Sequence, residues 1–271
     1  MAQLGVAFEG GVWRRLYAPG QVPGLWQSVA IAVVLVILNQ ILQGVFGLLS
    51  FKLLFGGDVG LHGNLIKGYM VGLFPAAVAT VAIAWAFAGI KRATPAEILS
   101  LRSPGLTPLG WLVLVFTFLI FLYAAIFMGA SLLGIDLEQF APTEGQDNAD
   151  TIGIVKQAMF DIAHDPRLFL LVLPSVVIGA PLAEEVIFRG QLFNALAHSR
   201  AGISGATVLT AGAWAGLHMT EPLFAVGIIF IMGLVFGYLM YRFNSLWVTI
   251  VCHAVWNGVY ALTMFSSVGT P

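Results

Sequence analysis

The sequence has few charged residues and a single cysteine, and each of these shortages excludes some classes of protein and of binding site. Asp, Glu, Lys and Arg make up only 9% of the 271 residues, whereas soluble domains average about 25%. The net charge of −1 supplies no basic surface, which argues against a nucleic-acid partner. Cys252 is the only cysteine, so a disulfide framework within the chain and a cysteine-rich metal site are both excluded.

Long apolar segments take the place of charge, since 59% of the residues are hydrophobic. A membrane span needs about 20 mostly apolar residues, and seven segments are candidates, or eight if one of them is broken differently. We therefore expect an all-α polytopic transmembrane helical bundle in a lipid bilayer, and a single integral membrane domain over residues 1–271. The candidate spans are residues 25–50, 65–90, 108–135, 168–196, 203–218, 223–241 and 246–265.

The spans and loops allow further predictions. The fourth span contains Pro174 and Pro181 and should be kinked or divided. Residues 152–162, in the acidic loop before it, could form an amphipathic helix on the membrane surface. In the sixth span, Gly227, Gly233 and Gly237 should allow a neighbouring helix to approach closely. Short loops and the lack of an evident targeting signal favour a bacterial inner (plasma) membrane.

Three ionisable residues interrupt the fourth span: Glu184, Glu185 and Arg189. Charged side chains inside a bilayer are costly, and they usually face a protein interior or a wet cavity where they serve a function. Glu185 and Arg189 are four residues apart on one helical face and can pair. Glu184 is rotated by about 100° from Glu185. We therefore expect Glu185 and Arg189 to support the fold, and Glu184 to face a cavity as a general base.

Two histidines and an asparagine in later spans are candidates for the same cavity. His218 follows Trp214 by four residues, and Asn257 follows His253 by four, so each pair shares a helical face. Counted from the ends of their spans, Glu184, His218 and Asn257 lie at similar depths, with His253 one turn away. The sequence therefore predicts one polar cavity near mid-membrane. Trp214 itself is more typical of packing than of chemistry.

These residues form three motifs that resemble the CAAX protease and bacteriocin-processing family, the intramembrane endopeptidases related to the Ras-converting enzyme. The first motif is Glu-Glu-x-x-x-Arg at 184–189, the second is Trp-x-x-x-His at 214–218, and the third is His-x-x-x-Asn at 253–257. The second motif usually begins with Phe, so Trp is a departure. Order and spacing fit, and the resemblance covers a protease core of about residues 168–260.

The resemblance implies an intramembrane endopeptidase that hydrolyses a peptide bond in a membrane-associated protein or peptide. It implies that Glu184 and His218 activate a water molecule, and that His253 and Asn257 stabilise the oxyanion. The resemblance favours a glutamate-dependent mechanism with no cofactor. The alternative is zinc, because Glu184, His218 and His253 together have the nitrogen and oxygen donors that zinc binds.

Two other classes of function fit some of these residues. Buried Glu and His side chains also build proton relays, so a proton-coupled transporter is an alternative. The duplicated halves common in transporters are not evident in the sequence. A non-catalytic immunity or scaffold protein of the same fold is the other alternative, because fold and motif do not guarantee activity.

Overall fold

A computed structural model describes residues 24–56, 62–89, 95–137 and 151–268, and regular structure in these ranges is helical throughout. The expected all-α fold is therefore confirmed. The α-helices in chain order are α1 (Leu25–Phe55), α2 (His62–Gly89), α3 (Pro95–Ile98), α4 (Pro108–Leu133), α5 (Thr151–His164), α6 (Pro166–Pro174), α7 (Ala180–Glu185), α8 (Asn194–Ala197), α9 (Gly202–Gly216), α10 (Leu223–Phe243) and α11 (Leu246–Val268).

Six helices of the described residues are long and apolar enough to cross a membrane. The segment expected at residues 203–218 forms α9, which has only 15 residues. At 1.5 Å per residue this helix is about 22 Å long, shorter than the roughly 30 Å hydrocarbon core. It is therefore not among the six, which are Leu25–Phe55, Gly63–Ala88, Pro108–Leu133, Pro166–Ala197, Leu223–Phe243 and Leu246–Thr263.

The span Pro166–Ala197 is continuous, but two widened segments interrupt its α-helical geometry. Ser175–Gly179 and Val186–Phe193 are π-helical, and the Ala180 N–H donates to the Ser175 carbonyl five residues back. Pro181 follows at once and has no N–H to donate, which weakens the ordinary ladder. π-Helical turns inside α-helices frequently occur at functional sites. Glu184 and Glu185 lie between the two widened segments.

The chain divides into two compact units, each assembled from separate stretches of sequence. Unit 1 comprises Met1–Ile37, Val81–Phe127 and Glu184–Cys252. Unit 2 comprises Leu38–Thr80, Met128–Ala183 and His253–Pro271. All five boundaries between the units fall inside continuous helices, near residues 37, 80, 127, 183 and 252. No change of composition marks them, so the sequence does not predict the division.

In unit 1, α9 and α10 approach closely where α10 carries small residues. A Cβ added at Gly233 would lie 2.8 Å from the Ala211 Cβ, and one at Gly237 would lie 2.6 Å from the Thr207 Cγ2. Such short separations leave no room for a side chain, so these two glycines do permit close helix packing. In the described part of the chain, no neighbouring atom lies within 4 Å of such a Cβ at Gly227. The prediction for Gly227 is therefore wrong, because no helix packs closely at that position among the described residues.

Asn194 fastens the end of the 166–197 span within unit 1. Its buried Nδ2 amide donates to the Ile98 carbonyl at 3.0 Å, to the Ser100 Oγ at 3.0 Å and to the Gly190 carbonyl at 2.8 Å. Two N–H groups serve three acceptors, so one of the bonds is shared. Asn194 thus joins its own helix to the turn that follows α3.

In unit 2, the Ser175 side chain replaces a backbone hydrogen bond that Pro75 removes from α2. Pro75 lies inside α2 and has no N–H, so the Val71 carbonyl loses its partner four residues on. The Ser175 Oγ donates to that carbonyl at 3.1 Å and accepts from the Phe74 N–H at 3.2 Å. A buried backbone group left without a partner is costly, so Ser175 stabilises the proline-containing helix.

The amphipathic segment predicted at residues 152–162 lies within α5, in unit 2. The Lys67 Nζ pairs with the Asp161 Oδ2 at 2.5 Å, which joins α2 to α5. Ile162 belongs to a small apolar cluster with Leu168 and Val172. The predicted helix is therefore present, and its location at a membrane surface stays a prediction.

Candidate active site

The two neighbouring glutamates lie in different surroundings. Glu185 is completely buried, and the Arg189 Nη1 donates to its Oε1 at 3.0 Å. Glu184 is only partly buried. The turn of about 100° between consecutive helical residues explains the divergence. One carboxylate is thus engaged by a buried arginine within its own span, while the other remains partly accessible.

The Arg189 guanidinium lies over two aromatic rings. Its Cζ is 4.5 Å from the centroid of Trp214 and 5.1 Å from that of Phe236. Within the described part of the chain, its Nε and Nη2 have no hydrogen-bond partner. Attraction to aromatic faces, worth about 0.5–2 kcal/mol each, offsets part of the cost of burying this cation. The guanidinium therefore connects Glu185 with the aromatic core of unit 1.

Trp214 forms the second connection, to Glu184. Its indole Nε1–H donates to the Glu184 Oε2 at 2.6 Å, across 30 residues of sequence. The expectation that Trp214 only packs is therefore incomplete, because this side chain also makes a polar contact with the predicted base. The second motif contains a feature that could have predicted this contact, because Trp stands there in place of the usual Phe and adds an N–H donor.

His218 lies beside the same indole. It follows the end of α9 in a turn, where its backbone N–H donates to the Ala215 carbonyl at 2.9 Å. Its ring meets the Trp214 ring edge-on, with centroids 5.6 Å apart. The His218 Nδ1 is 3.0 Å from the Trp214 carbonyl, and since a carbonyl only accepts, Nδ1 carries the hydrogen. In the neutral ring, Nε2 then keeps the lone pair that can take up a proton.

His253 and Asn257 lie on α11 in unit 2. His253 is buried, with 3% of its surface exposed, and Asn257 is half-buried. The Asn257 Nδ2 donates to the Val176 carbonyl at 2.9 Å, in the first π-helical segment. An amide nitrogen carries two hydrogens, so this bond orients the Asn257 side chain and leaves a second N–H for another acceptor.

The predicted site residues thus fall into two groups. Glu184 and His218 belong to unit 1, where Trp214 contacts both. His253 and Asn257 belong to unit 2. The single cavity that the sequence predicts for all four stays a prediction. Among the residues that the structure describes, no three His, Cys, Asp or Glu side chains are grouped as metal ligands would be, and the need for zinc stays open to measurement.

One protein family matches the segment of the chain that contains these residues. Residues 166–259 match the family described as type II CAAX prenyl endopeptidase Rce1-like. The similarity to the Rce1-like family is confined to this segment of the chain. It begins with the Pro166–Ala197 span and ends two residues after Asn257, so it contains all three motifs. No curated protein and no solved structure matches the chain.

The Rce1-like match confirms the resemblance drawn from the three motifs. The Rce1-like family is a protease family, so the match supports peptidase activity in general and a protein substrate in general. Together with the six apolar helices, it supports an integral membrane protein. The roles of individual residues in the Rce1-like segment are matters for proposal and experiment.

Proposed function

We propose that the protein is an intramembrane endopeptidase in which Glu184 and His218 activate a water molecule. The observation that carries the proposal is the contact of one indole, Trp214, with both the Glu184 carboxylate and the His218 ring. These residues lie in the Rce1-like segment. A carboxylate and an imidazole in one hydrogen-bonded cluster are the groups that general acid–base catalysis uses.

In the proposed reaction, the carboxylate–imidazole pair takes one proton from water as the oxygen attacks the carbonyl carbon of the peptide bond. The new C–O bond forms while the carbonyl π electrons move to oxygen and give an oxyanion. His253 and Asn257 donate hydrogen bonds to that oxyanion, which is the role the family resemblance implies. Collapse breaks the C–N bond, and the proton held by the pair passes to the leaving amine.

The substrate class we propose is a membrane-associated protein or peptide, and the location is a bacterial inner membrane. Cleavage inside or beside a bilayer suits residues placed on apolar helices, since the reacting bond can be excluded from bulk water. The prenylated substrates that the family description names are not expected in bacteria. The proposal therefore does not require a prenyl group on the substrate.

The function can be tested by comparing cells that carry the wild-type protein with cells that carry Glu184→Gln. Quantitative proteomics of the membrane fraction should reveal a protein or peptide that accumulates uncleaved in the variant. Glu221→Gln is the matched control, because Glu221 is exposed in the turn after His218 and should leave processing unchanged. Loss of solute flux in place of proteolysis would favour the transporter, and no effect of Glu184→Gln would favour a non-catalytic scaffold.

We also propose that catalysis needs no bound metal. Glu184, His218, His253 and Asn257 supply an acid–base pair and two hydrogen-bond donors, which is enough for the reaction described above. Purified protein should keep its activity after dialysis against a strong chelator, with metal content well below one ion per chain. Activity that disappears with the chelator and returns with zinc would overturn this proposal and make Glu184, His218 and His253 candidate ligands.

A further inference from the structure

We propose that Trp214 is a positioning residue that holds the Glu184 carboxylate in one orientation for proton transfer. The proposal rests on the function proposed above. Its main observation is the hydrogen bond of 2.6 Å from the Trp214 Nε1–H to the Glu184 Oε2. Hydrogen bonds to ionised acceptors are shorter and roughly twice as strong as those between neutral groups, so a bond of this length is well suited to fixing a carboxylate.

The indole also determines which carboxylate oxygen is available. An indole N–H only donates, so the bond favours the form of Glu184 in which Oε2 carries no proton. We therefore assign to Oε1 the proton that Glu184 takes from water. The bond thereby gives the two oxygens of Glu184 different tasks, with one held by the protein and the other left for the reaction.

Trp214 can hold Glu184 because it is itself held on several sides. It is 1% exposed, the Arg189 guanidinium lies 4.5 Å from its ring centroid, and the Phe236 ring centroid lies 5.8 Å away. Arg189 is bound in turn by Glu185, the residue next to Glu184. Glu184 thus contacts Trp214, Trp214 contacts Arg189, and Arg189 contacts Glu185. These contacts restrict the orientation of the indole.

The same indole contacts the imidazole partner. The His218 ring meets Trp214 edge-on, and the His218 Nδ1–H donates to the Trp214 backbone carbonyl at 3.0 Å. One residue therefore constrains both groups of the proposed acid–base pair. A phenylalanine, usual at this place in the motif, could keep the packing but has no N–H to hold the carboxylate.

The decisive variant is Trp214→Phe in the full-length protein, because it removes the N–H and keeps an aromatic ring. We expect kcat per folded protein to fall by up to roughly 10²-fold, the loss that a 1 Å misplacement can cause, with KM almost unchanged. The melting temperature should fall as well, because Phe is smaller than the buried indole, so the folded fraction has to be measured in parallel. The substrate is the peptide found to accumulate with Glu184→Gln. Trp247→Phe is the matched control, since Trp247 is 43% exposed and should keep wild-type kcat.

A second measurement does not depend on activity or on the stability of Trp214→Phe. In protein labelled with ¹⁵N at the indole nitrogens, one of the seven Trp signals should lie far downfield because of the short bond. Glu184→Ala should shift that signal strongly and leave the other six in place. An unchanged indole spectrum in Glu184→Ala, or an unchanged kcat in Trp214→Phe, would overturn the proposal.

The two proposals fail in different ways. If Glu184→Gln abolishes cleavage and Trp214→Phe has no effect on kcat, the endopeptidase stands and the positioning role falls. If no substrate accumulates with Glu184→Gln, the proposal of an endopeptidase is wrong. The positioning role of Trp214 is then wrong as well, even if the indole signal confirms the hydrogen bond to Glu184.

Discussion

In the most apolar 18-residue stretch of each helix, only 17% of the residues of α1 and 11% of those of α4 are buried. In the Pro166–Ala197 span and in α10 the buried share is 44%. Mean hydropathy separates these pairs much less, at 2.3 and 2.6 against 1.8 and 2.5. Hydropathy reports whether a helix suits lipid, and burial reports whether other helices surround it. The Rce1-like match begins at the first of the two more buried helices and includes the second. Charged residues in a bilayer need such surroundings.

The buried ion pair should provide the largest effect, through Arg189→Ala. Removing one partner of a buried pair leaves the other charge uncompensated, at a cost of about 3–5 kcal/mol. The free energy of unfolding in detergent should fall by that amount, and protein yield should fall with it. Arg200→Ala is the control, since Arg200 is exposed and should change stability little. A stable Arg189→Ala protein would show that Glu185 does not depend on this partner.

The next largest effect is expected from Asn257→Ala in the second group of predicted site residues. Loss of one oxyanion donor should lower kcat by roughly 10²–10³-fold, with KM largely kept. Because Asn257 also donates to the Val176 carbonyl, thermal stability has to be measured in parallel. A fall in activity explained entirely by lost folded protein would contradict the oxyanion role and leave Asn257 as a contact between helices.

A smaller effect should distinguish two glycines on α10. Gly237→Ala places a methyl group 2.6 Å from the Thr207 Cγ2, and such overpacking costs about 1–3 kcal/mol. Gly227→Ala meets no atom of the described residues within 4 Å and should be neutral or stabilising by up to about 1 kcal/mol, because Ala favours helix. Thermal unfolding of the two variants tests this directly. Equal melting temperatures would mean that α9 and α10 can separate at little cost.

The smallest effect is expected at the exposed surface of α4. Leu112 is 56% exposed, so Leu112→Ala should change the free energy of unfolding by at most about 0.5 kcal/mol. Leu122 on the same helix is fully buried, and Leu122→Ala should cost about 2–5 kcal/mol. A large loss from Leu112→Ala would show that a partner covers this surface, and the comparison with α10 would then need revision.

Local rules explain the parts of the site that could be predicted. The pairing of Glu185 with Arg189 joins residues four apart within one continuous span. His218 lies in the turn after α9, and it reaches the Trp214 ring because only four residues separate the two. The bond between Ser175 and the Val71 carbonyl could not be predicted, because it joins residues 104 positions apart. The hydrogen bond from Trp214 to Glu184 is of the same kind, since it depends on where α9 packs.

The sequence by itself determined that this chain has apolar helices long enough to cross a membrane, and that three motifs with fixed spacing lie in the segment similar to the Rce1-like family. These properties follow from composition and from contacts three or four residues apart, which helical geometry imposes wherever the helix lies. Tertiary structure alone decided that Gly237 is crowded while Gly227 is not, and that an indole N–H reaches the Glu184 carboxylate. Those outcomes depend on how the helices pack and rotate against one another, and side chains from distant parts of the chain set that packing together.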